Sequence, residues 1–243
     1  MSADCTTDRI CRGELTLEQP RKGYRFNIDS IILVDFCGRT AGGTADRAVD
    51  LGAGCGVVGL LLARRDLARE VVLVEIQQEL AQLAESNARR NGLERRATVV
   101  CGDLRQTDVW LASADLVVSN PPFFRQGHGR VSGEPQVALA KHELTCTVED
   151  LARAAEAALR PDGALALIHS MDRLEEILGT LRAHGLSPSV VQGVCPLPGR
   201  ACGRVLLRAI RGSAPTVPRR LPDLLVEVEP GVYSPQLRAT LGD

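Results

Sequence analysis

Four polar side chains stand at the ends of four apolar runs in the first half of the chain. In chain order they are Asp50, Glu75, Asp103 and Asn120. Short, continuous apolar runs predict buried strands of a parallel sheet, and the carboxyl ends of neighbouring parallel strands meet at one crevice. A single acid after a strand is usually a solvated loop residue or a helix cap. An ordered set of four predicts a shared binding site.

A glycine-rich turn follows the first of these runs, in the sequence Asp50-Leu-Gly-Ala-Gly-Cys-Gly56. Gly52, Gly54 and Gly56 let the backbone approach a ligand where a Cβ atom would collide, and a helix is predicted to start there. Such a turn is also typical of dinucleotide-binding folds. The G-x-G-x-G spacing and the preceding Asp50 disfavour a pyrophosphate and favour a ligand that carries an ammonium group.

The next two acids suit the other parts of a nucleoside ligand. Glu75 ends the second strand, where a carboxylate can accept hydrogen bonds from both hydroxyls of a ribose. Asp103 follows the third strand and is placed to accept a hydrogen bond from an exocyclic adenine amine.

With these four groups the chain resembles the class I S-adenosylmethionine-dependent methyltransferases that carry an N-P-P-[YF] motif. The resemblance implies a Rossmann-like α/β fold, with a mostly parallel, doubly wound sheet and closing antiparallel strands. It implies S-adenosylmethionine as cofactor and S-adenosylhomocysteine as its product. The predicted cofactor-binding residues are Asp50, Gly52, Gly54, Gly56, Glu75, Ile76, Asp103, Leu104 and Asn120.

The motif itself is Asn120-Pro-Pro-Phe123, and members of these families methylate planar, conjugated nitrogens. The Asn120 side-chain oxygen and the Pro121 carbonyl are each predicted to accept one N–H, which localises the nitrogen lone pair toward the methyl group. Pro121 and Pro122 stiffen the backbone because their φ angles are fixed. Phe123 offers a face on which an extruded base stacks. We therefore predict catalytic roles for all four residues.

Further segments are similar to the bacterial tRNA(valine) adenine-N6 methyltransferase family over nearly the whole chain. They are 23–36, 120–124 with the Gly/Arg-rich loop after it, 140–143, and the tail from Tyr233. The family commonly has Tyr at the place of Phe123 and Arg at the place of Lys141. The resemblance implies methyl transfer to adenine N6 in tRNA. The alternatives are a guanine-N2 rRNA enzyme, a release-factor glutamine-amide methyltransferase, and a catalytically idle RNA-binding module.

Length and composition agree with one α/β domain. The chain has 243 residues, of which 44% are hydrophobic and 24% charged. It has no run of eighteen uncharged apolar residues, so we predict no membrane-spanning helix, and its polar N-terminus lacks the apolar core of a signal peptide. We expect a cytoplasmic protein with no membrane partner. The net charge of −1 gives no overall attraction to nucleic acid.

Arginine carries nearly all of the positive charge, and its distribution is uneven. The run from Ser187 to Pro222 has no acidic residue but contains Arg200, Arg204, Arg208, Arg211, Arg219 and Arg220. This run indicates either a basic patch for RNA or a general bias toward arginine. Candidate phosphate contacts elsewhere are Arg21, Lys22, Arg25, Arg125 and Arg130.

The eight cysteines are scattered, and several of them lie inside apolar runs. They form no C-x-x-C pair, and no nearby histidine completes the spacing of a metal site. We predict free thiols and no metal.

Strand and helix signals alternate along most of the chain, which predicts a parallel sheet covered on both faces. The first helix is predicted from Ile28, with Asp29 or Ser30 as its N-cap, and Gly38 to Gly43 then breaks the chain. The expected organisation is an N-terminal cap over 1–40 with a short strand or hairpin and this helix, a methyltransferase domain over 41–213, and a tail over 214–243 with one short strand.

Overall fold

A computed structural model gives the structure of the protein and describes residues 5–22, 25–106, 114–121, 146–212 and 217–242. The strands are β1 (Cys5–Ile10), β2 (Leu15–Pro20), β3 (Ala45–Leu51), β4 (Ala68–Glu75), β5 (Ala97–Cys101), β6 (Ala114–Ser119), β7 (Leu159–Ser170), β8 (Leu186–Cys195), β9 (Arg204–Arg211), β10 (Arg219–Arg220), β11 (Leu224–Leu225), β12 (Glu227–Glu229) and β13 (Val232–Tyr233). The α-helices are α1 (Ile28–Thr40), α2 (Val57–Arg64), α3 (Gln78–Arg90), α4 (Val148–Ala158), α5 (Leu174–Ala183) and α6 (Pro235–Leu241).

One large sheet organises these elements, in the order β10-β8-β9-β7-β6-β3-β4-β5, with β11 also paired to β8. The five strands β5, β4, β3, β6 and β7 run parallel to one another, whereas β9 pairs antiparallel with both β7 and β8. The predicted fold class, a mostly parallel sheet with closing antiparallel strands, is confirmed.

Helices cover both faces of this sheet because its central strands are apolar on both sides. On β6, for example, Val117 packs into the layer under α4 and α5, while the next residue, Val118, packs into the layer under α1, α2 and α3. Both side chains are fully buried. The continuous apolar run in the sequence is thus explained by burial on two faces.

The strand registers bring the ends of β3, β4, β5 and β6 to one edge. Glu75 pairs with Cys101 across β4 and β5, and Asp50 pairs with Val118 across β3 and β6. The residues that follow these strands therefore share one crevice at the carboxyl edge of the sheet.

Helix α1 starts at Ile28 as predicted, but its N-cap lies two residues before Asp29, the first of the two predicted caps. Asn27, not Asp29 or Ser30, is the N-cap, because its side-chain oxygen accepts a hydrogen bond from the Asp29 backbone N–H at 3.0 Å. The helix also continues through Gly38 to Thr40. The two predicted caps were wrong because Asp29 and Ser30 already lie within the first turn of the helix.

The ends of the chain pack against the central layers. Strands β1 and β2 form the predicted hairpin, which is held on α3 by hydrogen bonds from Thr16 and Glu18 to Asn91 and Asn87. The tail contributes more than the one strand predicted, because β10 and β11 extend the main sheet and α6 follows the small β12–β13 hairpin.

The prediction that every cysteine is a free thiol was wrong for one pair. Cys195 and Cys202 are joined by a disulfide. The reason is the antiparallel pairing of β8 with β9, in which Val194 faces Arg204, so that the residues just beyond these positions lie side by side. In the part of the chain that the structure describes, no helix is long and apolar enough to cross a membrane.

Candidate functional site

The glycine turn after β3 is supported from beneath by Asp50. This carboxylate is only 2% exposed, and its Oδ2 accepts the backbone N–H of Gly59, in the first turn of α2, at 2.9 Å. Burial raises the pKa of Asp50 to about 7; the Gly59 hydrogen bond opposes this shift and the nearby Glu75 adds to it. The structure thus places Asp50 under the turn, bound to the helix, and not on the open side of the crevice.

The turn itself adopts a conformation that favours glycine. Gly52, Gly54 and Gly56 all have positive φ, at 76°, 57° and 89°. A Cβ atom added to Gly52 would meet nothing within 4 Å, so this part of the backbone faces open space. The turn therefore presents backbone to the crevice without obstruction by side chains.

Glu75 links the turn to the end of β4. Its Oε2 accepts the Gly54 N–H at 2.8 Å and its Oε1 accepts the Gln77 N–H at 2.9 Å, while the side chain is buried. Each carboxylate oxygen has a further lone pair, so Glu75 can still accept hydrogen bonds from a ligand. The two backbone bonds fix the carboxylate at the edge of the crevice.

A cavity of about 40 Å³ lies beside Glu75, between the ends of β4 and β5. Its lining combines apolar and polar groups: Gly52, Val74, Ile76, Gly102, Asp103, Leu104, Arg105 and Cys146. Ile76 is exposed toward solvent, whereas Leu104 packs against the core. The cavity is smaller than a purine base, but its lining places apolar side chains next to a single acid, Asp103.

Asp103 in this cavity binds Arg105, a residue for which the sequence predicted no role. The Arg105 guanidinium approaches Asp103 Oδ2 through Nε at 2.8 Å and through Nη2 at 2.5 Å, and the Arg105 backbone N–H donates to Oδ1 at 2.9 Å. These hydrogen bonds lower the pKa of Asp103. The D-x-R spacing was the available signal, since residues two apart in a turn can meet.

Asn120 lies directly after β6 and is buried. Its amide Nδ2 donates to Ser30 Oγ, in the first turn of α1, at 3.0 Å. The side-chain oxygen accepts no hydrogen bond from the described residues. Ser30 therefore orients the amide so that its oxygen is available to another donor.

The start of α1 is itself held from the closing strands. Asp29, next to Ser30, accepts a hydrogen bond from Arg204 Nε at 3.2 Å, and Arg204 is the first residue of β9. The sequence spacing gave no signal for either contact, because α1 is far in sequence from both Asn120 and Arg204. Only the fold brings these three segments together.

Several predicted residues lie outside the described residues. They are Pro122, Phe123, Arg125 and Arg130, together with the 140–143 segment that contributes to the family resemblance. Pro121 is described and is half-buried next to Asn120. The structure thus brings together the four strand-end groups and one of the two motif prolines.

The larger cavity of about 300 Å³ is not at this edge. It is lined by residues at the opposite ends of the strands, among them Ala45 at the start of β3, Asp115 at the start of β6 and Ala164 on β7. None of the strand-end residues contributes to it, and Arg208 of the acid-free run is the one described candidate among its lining residues. The candidate site is therefore identified by chemistry and by strand topology, not by cavity size.

The chain matches the family model of the methyltransferase small domain over residues 26–182. It is 29% identical to a Porphyromonas gingivalis protein named tRNA1(Val) (adenine(37)-N6)-methyltransferase, with 95% of this chain and 92% of that protein covered. It is 30% identical to an Aeromonas hydrophila protein of the same name, with 81% and 80% covered.

Solved structures share the fold. An Agrobacterium tumefaciens protein, Atu636, described as a predicted O-methyltransferase, superposes with a TM-score of 0.68 at 24% identity and covers 87% of this chain and 94% of its own. A Streptomyces coelicolor geranyl diphosphate C-methyltransferase, crystallised with S-adenosyl-L-homocysteine, superposes with a TM-score of 0.56 at 14% identity and covers 74% and 77%. At these identities the likeness extends to the fold alone.

Proposed function

Since the chain belongs to the methyltransferase small domain family, and is an S-adenosylmethionine-dependent methyltransferase, we propose that it methylates the exocyclic N6 amine of an adenine in tRNA. The observation that carries the proposal is the orientation of Asn120. Its amide NH₂ group donates to Ser30, and its buried side-chain oxygen accepts no hydrogen bond from the described residues, which leaves that oxygen available to another donor.

The described residues at the crevice fit the cofactor. The open backbone at Gly52 accommodates its amino-acid part, and the fixed carboxylate of Glu75 accepts the ribose hydroxyls. One edge of the adenine enters the small cavity lined by Ile76 and Leu104. Asp50 supports this arrangement by holding the turn against the start of α2. When bound, S-adenosylmethionine supplies an electrophilic methyl group on a sulfonium and leaves as S-adenosylhomocysteine.

Asp103 accepts the exocyclic amine of the cofactor adenine only if Arg105 yields part of its contact. Arg105 already donates to both oxygens of this carboxylate, so few lone pairs remain. The ion pair is partly solvent-exposed, with 41% of the Arg105 side chain accessible, and exposed pairs contribute little to stability. Arg105 can therefore be displaced at a small free-energy cost.

Asn120 and Pro121 act on the acceptor amine. An amine conjugated to a purine ring is a poor nucleophile because its lone pair is delocalised. The Asn120 side-chain oxygen and the Pro121 carbonyl each accept one N–H, which holds the nitrogen with its lone pair toward the methyl group. No strong base is needed before transfer, since the methylated nitrogen is acidic and loses its proton afterwards.

The proposal of an RNA substrate rests on the names of the relatives and on local positive charge. The two named relatives act, by their names, on adenine 37 of a valine tRNA. In the acid-free run, Arg204 and Arg211 form ion pairs with Asp29 and Glu156, and Arg208 is half-buried. The exposed members Arg200, Arg219 and Arg220 make no side-chain ion pair with the described residues. They supply the phosphate contacts that the net charge of −1 does not.

The test is the fate of the methyl group. The protein is incubated with tritium-labelled S-adenosylmethionine and, in separate reactions, with unmodified valine tRNA transcript, rRNA and a protein extract. RNA is digested to nucleosides and analysed by mass spectrometry. We expect N6-methyladenosine in the tRNA, and none in a matched transcript that carries guanine in place of adenine 37. Label in rRNA guanosine, in protein glutamine, or in no fraction would reject the proposal.

A further inference from the structure

Two cysteines and one acid from three separate segments meet beyond the end of β8. Cys195 is the last residue of β8, Cys202 lies in the loop before β9, and Asp223 lies between β10 and β11. The two sulfur atoms and a carboxylate oxygen all lie within 4.8 Å of one another. No spacing along the sequence signalled this cluster, because Asp223 reaches it through the pairing of the tail with β8.

Asp223 is fixed beside the sulfurs by its neighbours in the chain. The Leu221 N–H donates to the Val191 carbonyl at 2.9 Å, the Gln192 side chain donates to the Pro222 carbonyl at 2.8 Å, and Leu224 pairs with Val194. The carboxylate itself receives no hydrogen bond and no ion pair from the described residues. The side chain is exposed, so the carboxylate is accessible and its oxygens are available as ligands beside the two sulfur atoms.

Gly193 makes room for the cluster. A Cβ atom at this position would lie 2.5 Å from Asp223 Oδ1 and 2.9 Å from Cys202 Sγ, distances too short for any side chain. The carboxylate and the sulfur therefore approach each other over the bare backbone of β8. Any other residue at 193 would force them apart.

We propose that Cys195, Cys202 and Asp223 of the reduced protein bind one thiophilic divalent cation of the Zn²⁺ class. Two thiolates and a carboxylate are Zn²⁺ ligands, and three protein ligands leave a fourth tetrahedral position for water. Ligand distances of about 2.3 Å for sulfur require the two sulfurs to stand roughly 3.7 Å apart, a separation available only when they are not bonded to each other.

The disulfide and the cation are two alternative states of one site. A thiol reductant converts the disulfide into two thiols, and two molecules of reductant are oxidised to one disulfide in exchange. The cation then replaces the two thiol protons, because the thiolate is the ligand. In the reverse exchange a small-molecule disulfide is reduced to two thiols, the Cys195–Cys202 bond forms again, and the cation is released.

The cation would secure a part of the fold that the disulfide does not reach. The disulfide joins only β8 to the loop before β9, whereas Asp223 belongs to the tail. Strands β10 and β11 are two residues long each, and such short strands dock weakly without further support. A bound cation therefore ties the tail to the β8–β9 hairpin.

The probe is Co²⁺, added to the full chain after reduction with a phosphine. Bonds from thiolates to Co²⁺ give a charge-transfer absorption in the near ultraviolet, which a protonated thiol or a disulfide does not give. We expect one equivalent to bind and Zn²⁺ to displace it. Cys195→Ser and Cys202→Ser should abolish the absorption, and Asp223→Asn should weaken binding at least about tenfold. The matched controls are Cys101→Ser, which removes an exposed thiol, and Glu229→Gln, which removes another exposed acid of the tail.

A second measurement does not depend on the folding of any cysteine variant. Thermal unfolding of the reduced wild-type protein should shift to higher temperature with Zn²⁺, and the shift should be absent after oxidation of the pair. Absence of the charge-transfer absorption in the reduced wild type would overturn the proposal. So would equal Co²⁺ affinity of the Asp223→Asn variant and the wild type, or loss of binding in the Cys101→Ser control.

Discussion

Replacement of Ser30 by alanine tests whether the orientation of Asn120 matters for the reaction. Ser30 is 1% exposed and its Oγ receives the Asn120 Nδ2 hydrogen bond at 3.0 Å. Without it, the buried amide loses its partner, at a cost of about 1–3 kcal/mol. If the amide turns to recover a donor or an acceptor, its oxygen no longer faces the acceptor amine. At about 1.4 kcal/mol per tenfold in rate, we expect kcat to fall roughly 5- to 150-fold.

The assay is single-turnover methyl transfer to tRNA, with calorimetry of S-adenosylhomocysteine binding on the same preparations. Cofactor affinity should be unchanged, because Ser30 makes no contact with the cavity beside Glu75. Ser119→Ala is the matched control: it removes an equally buried hydroxyl, which donates to the Leu51 carbonyl at 2.8 Å and does not touch the Asn120 amide.

The comparison separates positioning from general destabilisation. Both variants should lose similar stability to urea, but only Ser30→Ala should lose more than about threefold in rate. A Ser30→Ala enzyme that turns over like the Ser119→Ala enzyme would refute the reasoning that this hydrogen bond sets the direction of the Asn120 oxygen.

Three further predictions concern the acids and the arginines. Glu75→Ala should weaken S-adenosylhomocysteine binding at least tenfold, about 1.4 kcal/mol, by calorimetry, and unchanged affinity would remove Glu75 from the site. Burial raises the pKa of Asp50 to about 7, so between pH 4 and 7 the folded state binds more protons than the unfolded state. The free energy of unfolding therefore falls as the pH rises through that window. In urea unfolding, Asp50→Asn should therefore stabilise the protein by a few kcal/mol more at pH 8 than at pH 4. An equal effect at both pH values would contradict the raised pKa of this carboxylate. The double variant Arg219→Ala, Arg220→Ala should flatten the salt dependence of tRNA binding by about two counterions. An unchanged slope would show that these two arginines do not contact RNA phosphates.

The strand-end acids could be predicted because two local patterns coincide at them. Asp50 and Glu75 end runs of apolar residues, and the glycines after Asp50 mark the turn to a helix. Parallel topology then determines that the ends meet. The sequence therefore carried enough information for the fold class and for the position of the crevice.

The contacts that orient these groups could not be predicted from local pattern. Ser30 and Asn120 are joined only after α1 packs on the central strands, and the role expected for Ser30 was that of a helix cap. Asp223 meets Cys195 and Cys202 only because the tail adds strands to the main sheet. Such contacts depend on tertiary packing, which spacing along one chain does not encode.

The most direct test of the proposed reaction is the Asn120→Ala variant, measured for methyl transfer to tRNA and for cofactor binding. Asn120 is assigned to the acceptor amine, so its loss should remove transfer while leaving the affinity for S-adenosylhomocysteine nearly unchanged. A loss confined to kcat is the mark of an interaction made in the transition state. Turnover above about a tenth of the wild-type rate, or a parallel loss of cofactor affinity, would contradict the role of this amide in activating the amine.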